Sequence, residues 1–131
     1  RDAFFAQVAQ EMSHRVSLDE AQIIQLLNER EAEGSTAFSP FIAVPHIIMP
    51  GEGEFHLLLA RCHTGIAFSD EAPEVKAVFV IFGTADTRHL HLKALAAIAQ
   101  IVRSKAFKER WMQADSPQHL QDLLLLSPRK R

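Results

Sequence analysis

Apolar residues open the chain at helical spacing. Phe4, Phe5, Val8, Ala9 and Met12 recur at steps of three and four, which predicts an amphipathic helix over 3–12 with its stripe turned inward. His14-Arg15-Val16 breaks that pattern. Ser17-Leu18-Asp19-Glu20 has the form of a capping box, with Ser17 as N-cap and Glu20 reaching back. A second helix is expected from there through Ile23, Ile24, Leu26 and Leu27 to about Glu33, closed by Gly34. Residues 35–40 have turn composition. Residues 41–44 (Phe-Ile-Ala-Val) then suit a short buried strand, which Pro45 stops from pairing further.

Beyond the Pro50-Gly51-Glu52-Gly53 loop, residues 56–62 read as a strand buried on both faces, and 65–68 as a small extended piece. Residues 75–82, with Val78, Phe79, Val80 and Ile81, give the strongest strand signal and the expected centre of the sheet. A long helix follows over 88–103, with Leu90, Leu92, Leu95, Ala96, Ile98, Ala99 and Val102 as its apolar positions. Residues 105–113 form a shorter helix carrying Phe107 and Trp111. Asp115-Ser116-Pro117 starts a last one, packed down by Leu120, Leu123 and Leu124. Two helices, three or four strands and two or three helices make an α/β or α+β domain with helices covering a small sheet. The pattern leaves strand polarity open.

Length and charge narrow the function. At 131 residues the chain fits one domain over 1–131 with a real core. A net charge of -2 supplies no general attraction to nucleic acid or anionic lipid. The basic Arg129-Lys130-Arg131 end reads as a solvated tail. One cysteine, Cys62, excludes an internal disulfide and fits a reducing compartment. No apolar run approaches the ~18 residues of a membrane span. The start at Arg1-Asp2-Ala3, without an initiator Met and almost at once helical, is that expected of a piece of a longer protein.

Histidine is the conspicuous chemistry, at positions 14, 46, 56, 63, 89, 91 and 119. His46 follows a proline at a strand end, where side chains of α/β domains face a cleft. His89 opens the long helix, where the dipole lowers proton affinity and free N–H groups can hold an anion. Cys62-His63 with His89 and His91 could be weighed as a zinc site, but no second cysteine exists. Moreover, residues two apart on a helix point to different sides. No Gly-x-Ser-x-Gly and no Gly-rich phosphate loop occurs, which argues against a hydrolase, an NTPase or a dinucleotide enzyme. What remains is histidine as a phosphoryl acceptor, needing a free imidazole lone pair and cations or N–H groups around three equatorial oxygens. Arg30, Ser35, Thr36 and His89 are the groups available for that, although Arg30 could equally serve only the dipole at a helix C-terminus.

These residues carry a resemblance. Arg30-Glu31, Gly34-Ser35-Thr36 and Ile42-Ala43-Val44-Pro45-His46, followed by Gly65-Ile66, the 75–82 strand and His89-Leu90, resemble the enzyme IIA domain, fructose/mannitol type and nitrogen-regulatory-like members included. That family belongs to the bacterial phosphoenolpyruvate-dependent phosphotransferase system, and the likeness spans nearly the whole chain. It implies a mixed central sheet flanked by helices and no cofactor. It implies that His46 accepts a phosphoryl group from an HPr-like phosphocarrier, with His89 assisting in preference to His91. Arg30 then steadies the phosphoryl group and Thr36 lies in the active-site turn. The bulky Ile47-Ile48-Met49 after Pro-His, where the family has a small residue, and the start at a helix resemble the versions appended to membrane transporters such as cation antiporters or amino-acid permeases. Two outputs follow: onward transfer to a IIB partner, or regulation of a parent transporter with no further acceptor. Either implies a cytoplasmic domain, tethered to the inner membrane in the second case.

Overall fold

The structure is a computed structural model that describes residues 1–116 and 118. The helix expected after Ser116, with Leu120, Leu123 and Leu124, lies outside the described residues, as does the basic C-terminus. In chain order the elements are α1 (Asp2–Met12), α2 (Glu20–Glu33), β1 (Ile42–Ala43), β2 (His46–Met49), β3 (Phe55–Ile66) and β4 (Val75–Thr84). A 3-10 turn (Ala85–Thr87), α3 (Arg88–Ile101) and α4 (Lys105–Gln113) complete them.

Strand β4 is the centre, as its run of apolar residues predicts. Strands β1 and β2 pair with it in parallel along one edge, and β3 pairs antiparallel along the other. The sheet is therefore mixed. Ile42 faces Ala77 and His46 faces Ile81, the same offset, so β1 and β2 are one strand interrupted at Val44-Pro45. Contrary to the expectation from the sequence, Pro45 does not end the pairing. Its missing N–H costs one position, while its carbonyl still accepts from Ile81 N at 2.9 Å and the ladder resumes at His46.

Alternation along the strands divides the core in two. Val78, Val80, Phe82, Ala43, Ile47 and Met49 meet Phe5, Val8, Ile23 and Leu27 of α1 and α2. Ile42, Val44, Ala77, Phe79 and Ile81 meet Ile98, Ile101, Phe107 and Trp111 of α3 and α4. Trp111 is fully buried and donates Nε1–H to the Lys76 carbonyl at 3.2 Å. Helices thus cover both faces of the sheet.

Three local expectations change. The capping box of α2 is Asp19 with Gln22: Gln22 N donates to Asp19 Oδ1 at 2.8 Å and Asp19 N to Gln22 Oε1 at 2.9 Å. Ser17 cannot serve, because Val16 and Leu18 are both buried and the chain must pass the core before it can coil. Strand β3 is not buried on both faces. It is an edge strand with Leu57 partly exposed, and it absorbs the Gly65-Ile66 piece as its own end. Finally, α3 buries His91, Ile98 and Ile101, with Ala94, Leu95 and Val102 beside them, while Leu90 and Leu92 are exposed. The inward stripe therefore starts at position 91.

Candidate functional site

His46 is the first residue of β2, immediately after the proline break. Ile47 and Met49 point into the α1/α2 core, so His46 and Ile48 face the α3 side. Ile47 accordingly forms no part of a bulky rim around His46. That rim has only Ile48, which is 47% exposed. The half-buried ring is fixed at both nitrogens. Nδ1 lies 2.8 Å from the Val44 carbonyl, which can only accept, so Nδ1 carries the proton and donates. The lone pair is then on Nε2, which accepts from Arg30 Nε at 3.3 Å.

Arg30 reaches this point from the last turn of α2, and its Nη1 also donates to the Gly34 carbonyl at 3.0 Å. Its guanidinium thus spans the helix end and the imidazole, a task beyond dipole compensation. The neighbouring turn is closed from within. Glu31, buried on α2, accepts from the Thr36 hydroxyl and from Thr36 N at 3.3 Å. The Thr36 carbonyl accepts from Val44 N at 2.9 Å. Thr36 is therefore tied into the frame behind His46, its hydroxyl turned towards Glu31. Ser35 is exposed and its hydroxyl accepts from Ala37 N at 3.2 Å, a turn-making contact away from His46.

The second histidine against His46 is His91. The two rings meet edge to face with centroids 5.3 Å apart. His91 is 4% exposed, and neither of its ring nitrogens has a hydrogen-bond partner. Burial first, then the charges of His46 and Arg88, holds its pKa below the ordinary histidine value. His89, preferred on sequence grounds, is exposed on another side of α3, where its charge lies near Asp86. The physical reason is the phase of the helix. His91, Ala94, Leu95 and Ile98 fall at i, i+3, i+4 and i+7, and that arithmetic was available in the sequence. Leu90 and Leu92, apolar as they are, lie off that stripe and face outward.

The start of α3 is pinned so that His91 meets the sheet. Thr87 Oγ1 donates to the Glu54 carbonyl at 2.9 Å and accepts from Thr84 N at 3.1 Å. Asp86 accepts from Gly53 N at 2.9 Å and from the Thr84 hydroxyl at 2.5 Å, and the Thr84 bond leads in holding its carboxyl below the usual range. Gly83 on β4 leaves the room: a Cβ there would stand 3.1 Å from Thr87 Oγ1 and 3.3 Å from His91 Nδ1. Among the described residues no three His, Cys, Asp or Glu side chains are grouped to hold a metal ion, and no helix is long and apolar enough to cross a membrane.

An imidazole with its lone pair turned to a guanidinium, and a second, buried imidazole beside it, are thus brought together on a three-layer α/β/α fold. The chain belongs to the family described as phosphoenolpyruvate-dependent sugar phosphotransferase system, EIIA 2, which it matches over residues 1–126. It is similar to a nitrogen regulatory protein of Bradyrhizobium diazoefficiens, 30% identical over 111 residues that cover 84% of this chain and 72% of that one. It is also similar to a PTS system fructose-specific EIIA component of Haloferax volcanii, 30% identical over 108 residues, 81% of this chain and 70% of that one. In fold it is similar to the nitrogen regulatory protein IIA-Ntr of Neisseria meningitidis (TM-score 0.87, 22% identity, 95% and 86% of the two chains). The same holds for IIA mannitol of Escherichia coli (TM-score 0.73, 16% identity, 94% and 87%).

Proposed function

We propose that His46 takes a phosphoryl group on Nε2 from the phosphohistidine of an HPr-type phosphocarrier, in the cytoplasm. The observation that carries this reading is the pair of bonds on the His46 ring, Nδ1 to the Val44 carbonyl at 2.8 Å and Nε2 to Arg30 at 3.3 Å. The Nε2 lone pair forms the new N–P bond. The donor's P–N bond breaks and its electron pair returns to the donor imidazole. His46 keeps its Nδ1 proton throughout, and the positive charge that develops on its ring is met by the Val44 carbonyl dipole. Arg30 moves from the lone pair to the phosphoryl oxygens, where its planar fork suits them. His91, kept neutral by burial, offers one N–H to a further oxygen. Thr36 acts from behind, by holding the turn.

Incubation with phosphoenolpyruvate, enzyme I and HPr tests the reading. The expected product is an acid-labile, base-stable phosphate that is lost in His46→Ala. No label on the wild-type chain, with HPr shown to be charged, overturns it. Passage to a IIB domain, or retention as a regulatory mark on a larger chain, is then read by adding the acceptor. The equal 30% identities to a nitrogen regulatory protein and to a fructose-specific EIIA component give neither output an advantage, so the acceptor assay decides.

A further inference from the structure

Glu31 is a buried acid that the phosphoryl chemistry above does not use. It is 8% exposed, on the face of α2 turned to the sheet, and carries no ion pair among the described residues. Its two oxygens take both donors of Thr36, the hydroxyl and the backbone N–H. The contacts continue from there without a gap. The Thr36 carbonyl accepts from Val44 N at 2.9 Å, and the Val44 carbonyl accepts from His46 Nδ1 at 2.8 Å. Val44 needs such a tether. It sits at the break in the strand, next to a proline, and its N–H is spent on Thr36 while the ladder to β4 resumes only beyond it.

We infer that Glu31 is a positioning residue that sets the tautomer of His46. A carboxylate can only accept, so it orients Thr36 one way: both donors towards α2, carbonyl towards Val44. With Val44 held, its carbonyl stays where the Nδ1 proton needs it, and the lone pair is confined to Nε2, the nitrogen under Arg30. Without Glu31 the turn loses two bonds, both to the carboxylate and so each about twice as strong as a neutral one. The Val44 carbonyl then drifts from Nδ1, and the proton distributes over both nitrogens. The structural part of this inference is independent of any donor protein, whereas its effect on transfer rests on the proposed phosphorylation of His46.

The test is the nitrogen-15 spectrum of His46 in wild type, Glu31→Ala and Thr36→Val, at a pH where the ring is neutral. Wild type should show one dominant tautomer, with the proton on Nδ1. Each variant should shift the tautomer ratio by about fivefold, the worth of one net hydrogen bond. Glu31→Gln, which keeps one acceptor oxygen, should recover part of it. A folded Glu31→Ala or Thr36→Val chain with the wild-type ratio overturns the inference. If either variant fails to fold, the other decides, and if both fail Glu31→Gln does, with an unchanged ratio again counting against it. In a charged HPr assay, the variants should label more slowly and place phosphate on both ring nitrogens. A tautomer shift without any labelling of wild type would leave the positioning role standing and remove the phosphoryl-acceptor reading.

Discussion

The rings of His46 and His91 meet edge to face at 5.3 Å, one from a strand beginning after a proline, the other from the first turns of α3. The contact joins two segments 45 residues apart in the chain and puts the His91 ring, not that of His89, against His46. Substituting the two candidate helix histidines separates them. His91→Leu should slow phosphoryl transfer to His46 by about 10²-fold, the usual contribution of a positioned acid or base. His89→Ala should stay within about twofold of wild type. Initial labelling rates with a charged HPr-type donor measure both, and the reverse order would return the assisting role to His89.

The same substitution should act on stability in the opposite direction. Two buried ring nitrogens without partners are costly, so His91→Leu is expected to raise unfolding stability by about 1 kcal/mol near neutral pH. The pH dependence follows from the lowered pKa. As pH falls below about 6.5, an unfolded His91 takes up a proton while the folded one stays neutral. The unfolded state then binds more protons, so stability falls towards acid, by up to about 1.4 kcal/mol per pH unit, until the lowered folded pKa is reached. Urea titrations between neutral and mildly acidic pH should show that slope in wild type and lose it in His91→Leu.

Arg30 bridges His46 Nε2 and the Gly34 carbonyl through separate nitrogens of one planar group. Lysine carries its charge and all its donors on one atom and has no second nitrogen to span the two acceptors. Arg30→Lys should therefore slow labelling by about tenfold, and Arg30→Ala by about 10²-fold, with little change in the thermal midpoint. A lysine variant as fast as wild type would show that charge alone is enough.

The start of α2 offers a plain stability check. Asp19→Ala should cost about 1 kcal/mol, the loss of an N-cap and its reciprocal partner. Ser17→Ala should cost only a few tenths, since the structure gives Ser17 no capping role. Equal losses in denaturant titration would move the cap back to Ser17.

Most of the frame was legible in the residues. Long periodic segments set α1, α2 and α4, and the unbroken apolar run of 75–82 marked the central strand, because burial on both faces leaves no polar position in it. Arg30, Thr36 and His46 could be picked out because turn, proline and strand end follow one another within 17 residues. Phase was harder. Leu90 and Leu92 are as apolar as any core residue, and only the spacing counted back from Leu95 and Ile98 shows that they face outward. The tandem pairing of β1 and β2 was hidden for another reason: proline signals a lost donor, and says nothing about whether the strand resumes. The bond between Glu31 and Thr36 left a trace only as a carboxylate five residues before a hydroxyl, a spacing that gains meaning once the turn between them is seen.

The uninterrupted offset of β1 and β2 against β4 makes the stretch from Ile42 to His46 a ruler. Its length is constrained as strictly as its composition. One residue added or removed between Ala43 and His46 would turn the imidazole through to the opposite face of the sheet, among Phe5, Val8 and Leu27, and a removal would put Ile47 in its place beneath Arg30. Insertions that a surface loop would absorb are therefore closed to this segment, and variation in chain length has to be taken up elsewhere, in the exposed turn at Pro50-Gly51-Glu52.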